Sequence, residues 1–487
     1  SVTVTLTLDR HNLVPLLRLS NIAILETINR RVTFRSFLYF VFYKIIVHIT
    51  MRFIVKQTGV GSERIGSLTG FIKSPGIVIE TPTAALFTQG GSVVHLTADV
   101  LSWVFPSPKP LWMSLMNCLQ LENGVKIQNE GVAKFAGLPE HITCVSLNNL
   151  SEVTPPGHFE ADKVPLWTKN GKKMLTANRY MDVMEIFKPD IILAIADGRT
   201  TLSEGLKRLS KSVDRTTNML KTCVDRYKAA EELQNSALVG VIVGVGNPKK
   251  CDMCLENILK YSDSLSGIAL EGISDGTEES MDVNIEKLSE IFNKVGNAVS
   301  KDFLKIIEGS WNPSVILTAI EYGWDFFDGS YPVKLTNAGI ALKLSFNVNK
   351  DNDEYLLNMI DERFKEDFSP ILEGCECLAC KKHTRAYIRH LLNTREMLAS
   401  VLLSIHNLHH FDQMFFYARQ HIAANTFTVY KDHIVKQCEM LKTFSPDRYK
   451  GSKETEKPTN QKKKAKVCNL NSDVNSVDVN SASAVSN

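Results

Sequence analysis

Short apolar runs alternate with amphipathic segments through the middle of the chain. Five such runs occupy residues 191–195, 239–243, 267–270, 304–307 and 324–327. A glycine follows each run, and in four of the five an acidic residue stands directly before that glycine. Residues 202–227, between the first two runs, carry apolar side chains at helical spacing. Continuous apolar strands separated by helices are typical of parallel sheets whose two faces are both covered. The repeated pattern predicts an α/β fold, a closed (β/α)8 TIM-type barrel rather than an open sheet.

Acidic side chains stand where four of the predicted strands end: Asp197, Glu271, Glu308 and Asp328. Barrels of this kind carry their chemistry on the face at the carboxyl ends of the strands. A single acid beside glycine is common in turns. Four of them on one face favour a working or remnant site.

The clearest sign of metal chemistry is a cluster of three cysteines: Cys375, Cys377 and Cys380. A CxCxxC knuckle can turn three thiolates toward one ion, and a distant histidine can complete a tetrahedral site. The histidine is left open among His406, His383, His409 and His410. Four protein ligands leave no position for substrate, so the pattern predicts one structural zinc ion. Apolar spacing predicts that residues 384–405 form one continuous helix.

A second cysteine pair, Cys251 and Cys254, has CxxC spacing. Metal or redox chemistry at such a pair needs a second pair or a thioredoxin-like context, and the sequence offers neither. The pair stands at the start of a predicted helix. The sequence therefore favours a structural role for both thiols.

The two ends differ from the body of the chain. Residues 1–50 hold five Arg and one Lys against Asp9 and Glu26, whereas the net charge of the whole chain is only +3. We interpret this segment as translated upstream sequence, an artefact of the gene model. A transit peptide and a membrane-surface anchor are the less favoured alternatives. Residues 51–444 form the predicted folded domain. Residues 445–487 are polar and rich in Asn, Ser and Lys, which predicts a disordered tail.

The cysteine segment leads to a family. Residues 374–392 read GCECLACKKHTRAYIRHLL and residues 402–408 read LLSIHNL. Both stretches resemble the zinc region of tRNA-guanine transglycosylases, and the resemblance runs from about Met51 to Ile422. It implies a (β/α)8 barrel with an inserted zinc-binding subdomain at about residues 345–422, and His406 as the fourth zinc ligand. It also implies exchange of guanine at the wobble position of tRNA for a deazaguanine, queuine in eukaryotes.

Departures from the family pattern fall on its catalytic positions. Catalytic members carry Ser-Asp-Ser-Gly-Gly-Phe-Gln early in the barrel, where residues 95–103 read HLTADVLSW. The family's base-recognising Gln corresponds to Val243, and its Gly-Gly corresponds to Glu271 followed by glycine. Asp197 resembles the base-recognising Asp and Asp328 the nucleophile. The Pro-Thr-Arg that usually follows the nucleophile is missing.

An Asp nucleophile without its acid–base partner loses assistance worth about 10²–10⁴ in rate. The chain therefore resembles a non-catalytic member of the family that pairs with a catalytic subunit and helps to position tRNAs with GU(N) anticodons. Predicted tRNA contacts are the basic residues beside the cysteines: Lys381, Lys382, Arg385 and Arg389. The alternative is an active homodimer that uses Asp328 as the nucleophile. The resemblance further implies a cytoplasmic location, in part at the mitochondrial outer membrane through peripheral association.

Overall fold

The computed structural model describes residues 51–149, 152–153, 160, 162–277, 283–350, 352 and 354–439. The segment 1–50 and the tail 445–487 lie outside the described residues, so the predictions for both stay predictions. Of the helices in the described residues, none combines the length and the apolar character that a membrane span needs.

Strands and helices alternate along the described residues. The strands are β1 (Arg52–Thr58), β2 (Arg64–Thr69), β3 (Ile79–Thr81), β4 (Thr83–Gln89), β5 (Ser92–Val93), β6 (Leu111–Ser114), β7 (Thr143–Ser146), β8 (Lys163–Thr168), β9 (Gly171–Thr176), β10 (Ile191–Leu193), β11 (Ala237–Ile242), β12 (Gly267–Leu270), β13 (Leu304–Ile307), β14 (Phe326–Gly329), β15 (Ile340–Leu342) and β16 (Leu356–Asn358). The helices are α1 (Ala98–Val104), α2 (Leu115–Cys118), α3 (Glu122–Gln128), α4 (Val132–Phe135), α5 (Ala177–Phe187), α6 (Leu206–Ala229), α7 (Pro248–Leu259), α8 (Ile285–Ala298), α9 (Pro313–Glu321), α10 (Tyr331–Asn337), α11 (Leu378–Lys382), α12 (Arg385–Asn393), α13 (Met397–Ala423) and α14 (Phe427–Glu439).

Eight parallel strands form a closed barrel. Their order is β4, β6, β7, β10, β11, β12, β13 and β14, and β14 pairs in parallel with β4, so that Phe326 lies opposite Thr83. Every residue of β11, β12 and β13 is buried, as expected for strands covered by side chains inside and by helices outside. The prediction of a (β/α)8 TIM-type barrel is confirmed.

The predicted strands match the observed ones to within two residues. The runs 267–270 and 304–307 coincide with β12 and β13, whereas β10 ends at Leu193 and β14 begins at Phe326. The pattern did not show the antiparallel sheet of β1, β2 and β3, nor the hairpin of β8 and β9. These strands are half-exposed, so their apolar residues do not form continuous runs.

The prediction of one helix over residues 384–405 is wrong. The chain forms two helices, α12 and α13, separated by Thr394, Arg395 and Glu396. Arg395 has a left-handed φ of 59°, and the hydroxyl of the exposed residue Thr394 donates to the carbonyl of His390. Threonine competes for backbone hydrogen bonds in this way at helix ends. The apolar spacing continues across the break because both helices pack on the same core.

The long helix α13 joins the cysteine segment to the barrel. Its Phe415 ring packs against Phe327 of β14, with centroids 5.7 Å apart. Its polar residue Asn407 is fully buried and bonds to three groups: it accepts from the Leu342 N–H at 2.8 Å and donates to the Ile340 carbonyl and to the Thr336 hydroxyl. The hairpin of β15 and β16 is therefore fixed to α13.

Candidate functional site

The structure brings Cys375, Cys377, Cys380 and His406 together. Their ligand atoms all lie within 4.8 Å of one another. The His406 Nδ1 atom is 3.8, 3.6 and 3.3 Å from the three sulfurs in chain order. Tetrahedral zinc with Zn–S of about 2.3 Å and Zn–N of about 2.0 Å requires S···N separations near about 3.6 Å. The four side chains therefore fit a zinc ion.

Local backbone geometry turns the three thiols inward. Gly374 precedes the first cysteine with φ of 77°, a conformation that a side chain would strain. Cys377 then caps the short helix α11, because its sulfur accepts a hydrogen bond from the Cys380 N–H at 3.3 Å. The cluster is thus shaped by the peptide around it.

A backbone carbonyl orients the histidine of the cluster. The His406 Nε2 atom donates to the carbonyl of Leu342 at 2.8 Å, which leaves the lone pair of Nδ1 facing the cysteines. Such a partner behind a metal-binding histidine fixes its tautomer and its ring. The ring of His410, one turn further along α13, also contacts the backbone: its Nε2 atom accepts a hydrogen bond from the Leu344 N–H at 2.8 Å. Sequence analysis missed these roles, although His406 and His410 share a helix face.

His383 and His410, two of the other candidate histidines, make different contacts. His383 stacks on the Tyr387 ring, with centroids 5.4 Å apart and an interplanar angle of 17°. Burial and the nearby His406 lower the pKa of His410 to about 3, so its ring is neutral at physiological pH. Of the histidines left open by the sequence, His406 is the one that the fold places among the cysteines.

The predicted tRNA-binding residues occupy two environments. Lys381 and Lys382 are exposed at the end of α11. Arg385 instead forms an ion pair with Asp367 at 2.9 Å. Arg389, with 12% of its side chain exposed, is paired with Glu362. The two lysines are therefore available to a ligand as they stand, whereas each arginine must exchange an internal partner.

The second candidate site is the barrel mouth, the end of the barrel where its strands have their carboxyl ends. The Asp197 carboxylate there binds two arginines. Arg208 contacts both carboxylate oxygens at 2.8 and 2.5 Å, and Arg215 contacts one at 2.9 Å. The Asp197 side chain has 0% exposure. Two guanidinium groups neutralise this carboxylate. Three of the about four acceptor positions of Asp197 are therefore taken by arginine, and its buried carboxylate is not exposed to a nucleobase.

Glu271 fills the space beside Asp197. The carboxyl oxygen of Glu271 packs so closely on Gly198 that a Cβ there would lie 1.8 Å from it. Burial raises the pKa of Glu271 to about 7, and burial together with the charge of Glu271 raises that of Glu308 well above the ordinary range. At neutral pH Glu308 is therefore the protonated member of the pair. This carboxyl pair stands where a Gly-Gly would leave room for a base.

The carboxyl pair predicts a pH dependence of stability. In the folded chain Glu271 keeps its proton up to about pH 7, whereas in the unfolded chain it loses the proton near its ordinary pKa of about 4.3. The stability that Glu271 contributes therefore falls as the pH rises from about 4.3 to about 7. A shift of this size corresponds to about 3 kcal/mol. Glu271→Gln should flatten the profile of urea unfolding midpoint against pH. Glu286→Gln, at an exposed position, should keep the wild-type slope, and equal slopes in all three proteins would contradict the assignment.

Asp328 lies at the end of β14 and is 2% exposed. Burial raises its pKa to about 6, while donors from the Ser330 side chain and backbone and from the Gly309 backbone oppose the rise. The Ser330 N–H lies 2.9 Å from its carboxylate. Asp328 is therefore ionised at neutral pH but enclosed. Asp99, in the stretch where catalytic members carry an acid–base Asp, is exposed on α1, and Val243, directly after β11, is buried.

Cys251 and Cys254 lie on the buried face of α7. Burial raises the pKa of Cys251 to about 11 and that of Cys254 to about 12, so both are neutral thiols at physiological pH. Neutral buried thiols are unreactive and bind metals poorly. Their environment agrees with the structural role expected from the sequence.

Comparison with known proteins adds a family to this geometry. The family model described as Queuine tRNA-ribosyltransferase matches residues 60–440. A protein of Aedes aegypti named "Queuine tRNA-ribosyltransferase accessory subunit 2" is 33% identical over 390 residues, 80% of this chain and 93% of its own length. Proteins with the same name from Culex quinquefasciatus and Drosophila melanogaster are 33% and 32% identical, over 79% and 77% of this chain and 91% and 90% of theirs. The matched region includes both the barrel and the cysteine segment.

Proposed function

Because the chain belongs to the queuine tRNA-ribosyltransferase family, we propose that it is the non-catalytic subunit of a heterodimer. Its partner is the catalytic subunit, which exchanges guanine for queuine at the wobble position of tRNAs with GU(N) anticodons. This chain supports the reaction by dimerisation and by positioning the tRNA. Similar proteins named as accessory subunits support the proposal over most of the chain.

The observation that carries the proposal is the occupied barrel mouth. Two arginines bind Asp197, and the Glu271 carboxyl lies against Gly198. A base held next to Asp328 would need both groups to move and would bring its own carbonyl oxygen toward buried carboxyls. Such burial of unpaired charge is expensive. The alternative, a homodimeric enzyme with Asp328 as nucleophile, has the buried carboxylate in its favour, but in the described part of the chain Asp197 and Glu271 are already packed against other groups.

The zinc segment, the subdomain at about residues 345–422, is the proposed docking surface for the catalytic subunit. It exposes an unusual number of large apolar side chains: Phe368 at 75%, Tyr387 at 39%, Met397 at 86% and Leu398 at 40%. Exposed apolar groups of this size are typical of surfaces that bind another protein. Cys375, Cys377, Cys380 and His406 would hold a zinc ion that links this segment to α13, so the surface would be formed before the partner arrives.

Association of the two subunits provides the test. The wild-type chain should co-elute with the catalytic subunit, and Tyr387→Ala combined with Met397→Ala should weaken the complex at least about tenfold, since buried aromatic anchors contribute about 2 kcal/mol or more. Val429→Ala, which removes an exposed apolar side chain on α14, serves as the control. No association of the wild-type chain would refute the proposal.

Lys381 and Lys382 are the proposed phosphate contacts, and reversing their charge should weaken tRNA binding. Each lost phosphate contact lowers the salt dependence of affinity by about one unit of slope. We expect Lys381→Glu with Lys382→Glu to lower tRNA affinity of the heterodimer about tenfold at low salt, and less at high salt. Lys365→Glu, an exposed charge on the same segment, is the matched control. Equal losses in both variants would point to a nonspecific effect of charge and count against the contacts.

Under this proposal the protein acts in the cytoplasm, and a fraction associates peripherally with the mitochondrial outer membrane. Fractionation of cells that express the tagged protein, with and without a high-salt wash, tests the location. Release of the membrane fraction by salt is expected of peripheral attachment.

A further inference from the structure

A cleft of about 770 Å³ opens beside the cysteine cluster, away from the barrel mouth. Its walls are residues 343–347, 350 and 352 from the connection after β15, residues 372–376 at the start of the cysteine knuckle, and one face of α13. This volume lies in the range of small-molecule and nucleotide sites. The residues of the barrel mouth, Asp197, Glu271 and Asp328, are not among those that line it.

Aromatic rings form a ladder from the metal cluster into the cleft. His406 stacks on His410 with centroids 5.5 Å apart and an angle of 11°. His410 lies 4.6 Å from the Phe346 ring, and Phe346 stacks on Tyr417 at 5.0 Å and 26°. The ladder ends at Tyr417, which lines the cleft and is 36% exposed. A planar ligand could extend this stack, since aromatic faces are the usual partners of unstacked bases.

The remaining lining of the cleft is polar and carries both signs of charge, with Lys343, Lys350 and Arg385 against Glu373 and Glu376. Gln413 and His409 project from α13, Lys350 is exposed at the rim and Asn347 lies nearby. Aliphatic side chains in the described lining are confined to Leu344 and Leu372. A docked peptide helix needs a row of apolar anchors, which this lining does not supply. A nucleotide needs a ring face, hydrogen-bonding edges and a cation for its phosphate, and the cleft has all three.

We infer that this cleft binds an unstacked nucleotide of the substrate tRNA, with the base against the Phe346–Tyr417 stack and its phosphate near Lys350. The inference rests on the proposed function, because that function makes tRNA the RNA that reaches this surface. The stacked base adds to the phosphate contacts of Lys381 and Lys382. It fixes the register of the tRNA on this surface, in addition to the attraction between charges.

The experiment uses the full-length chain in complex with its catalytic subunit. Fluorescence anisotropy with a transcribed tRNA carrying a GUN anticodon measures affinity for the wild type, Tyr417→Ala, Tyr417→Phe and Lys350→Glu. Loss of one stacked base typically weakens binding about tenfold or more, so Tyr417→Ala should show that loss and Tyr417→Phe should restore affinity. Lys350→Glu should weaken binding more at low salt than at high salt. Val429→Ala removes an exposed apolar side chain, 57% exposed, that does not line the cleft, and should leave affinity unchanged.

Cross-linking separates the possible occupants. Transfer RNA that carries 4-thiouridine should cross-link to peptides containing Tyr417 or Lys350. Unchanged affinity in both Tyr417→Ala and Lys350→Glu would overturn the inference while the proposed function stands. Weaker association of the subunits with unchanged tRNA affinity would also overturn it and assign the cleft to the partner polypeptide. A wild-type heterodimer that does not bind tRNA would refute the proposed function instead.

Discussion

Cys377→Ser should remove the bound zinc and lower the unfolding free energy by at least about 3 kcal/mol, because structural zinc binding contributes directly to folding. Cys377 is 4% exposed, accepts the Cys380 N–H, and lies 3.6 Å from the His406 ring nitrogen. Serine keeps the volume but binds zinc weakly at neutral pH. Without the ion, the two remaining cysteines and the histidine have no common partner, and the link from residues 375–380 to α13 is lost.

Metal content by mass spectrometry and thermal unfolding together test this expectation. The wild type should contain one zinc per chain, and Cys377→Ser close to none. Cys251→Ser, which changes a buried thiol on α7 outside the cluster, should keep its zinc, so any stability it loses is not due to loss of metal. A zinc-free wild type with the same unfolding temperature as Cys377→Ser would show that the four side chains do not form a metal site.

Asp325→Ala should lower the unfolding free energy by about 3–5 kcal/mol, the typical cost of leaving one member of a buried ion pair unpaired. Asp325 has 0% exposure and receives the Arg64 guanidinium through two hydrogen bonds of 2.9 and 2.5 Å. It also accepts from the Lys305 N–H at 3.0 Å. Arg64 further donates to the carbonyls of residues 301 and 303. One carboxylate therefore holds the N-terminal sheet against the beginnings of β13 and β14.

Urea unfolding followed by circular dichroism measures the loss. Asp361→Ala removes an exposed carboxylate that lies 3.6 Å from Arg363, and it should cost less than about 1 kcal/mol, as exposed ion pairs do. If Asp325→Ala cost no more than this control, the buried pair would not anchor the sheet.

The barrel could be predicted from sequence because its signal is strong and local. Strands β12 and β13 are buried along their whole length, so their apolar residues run without interruption between glycine-rich ends. The sheet of β1, β2 and β3 is half-exposed and depends on Arg64 reaching Asp325, 261 positions away. No pattern within a short window encodes such a contact. The break at Arg395 was hidden because α12 and α13 bury residues with the same apolar spacing.

The metal cluster was predictable because the three cysteines are close in sequence and rare in type. The choice of His406 over His383 was not encoded by spacing, and it depends on the Leu342 carbonyl that orients the ring. The occupation of Asp197 was equally hidden. Arg208 and Arg215 lie seven residues apart on one face of α6, but only the fold brings that face to the strand end. The free lysines and the paired arginines of the zinc segment also look alike in sequence.

Exchange of labelled guanine in a GUN-anticodon tRNA tests the central claim most directly. It is measured with this chain alone, with the catalytic subunit alone and with the two mixed. The account predicts exchange only when the catalytic subunit is present, a higher rate in the mixture, and no change in that rate when this chain carries Asp328→Asn. Exchange by this chain alone that disappears with Asp328→Asn would contradict the account and make the chain an enzyme.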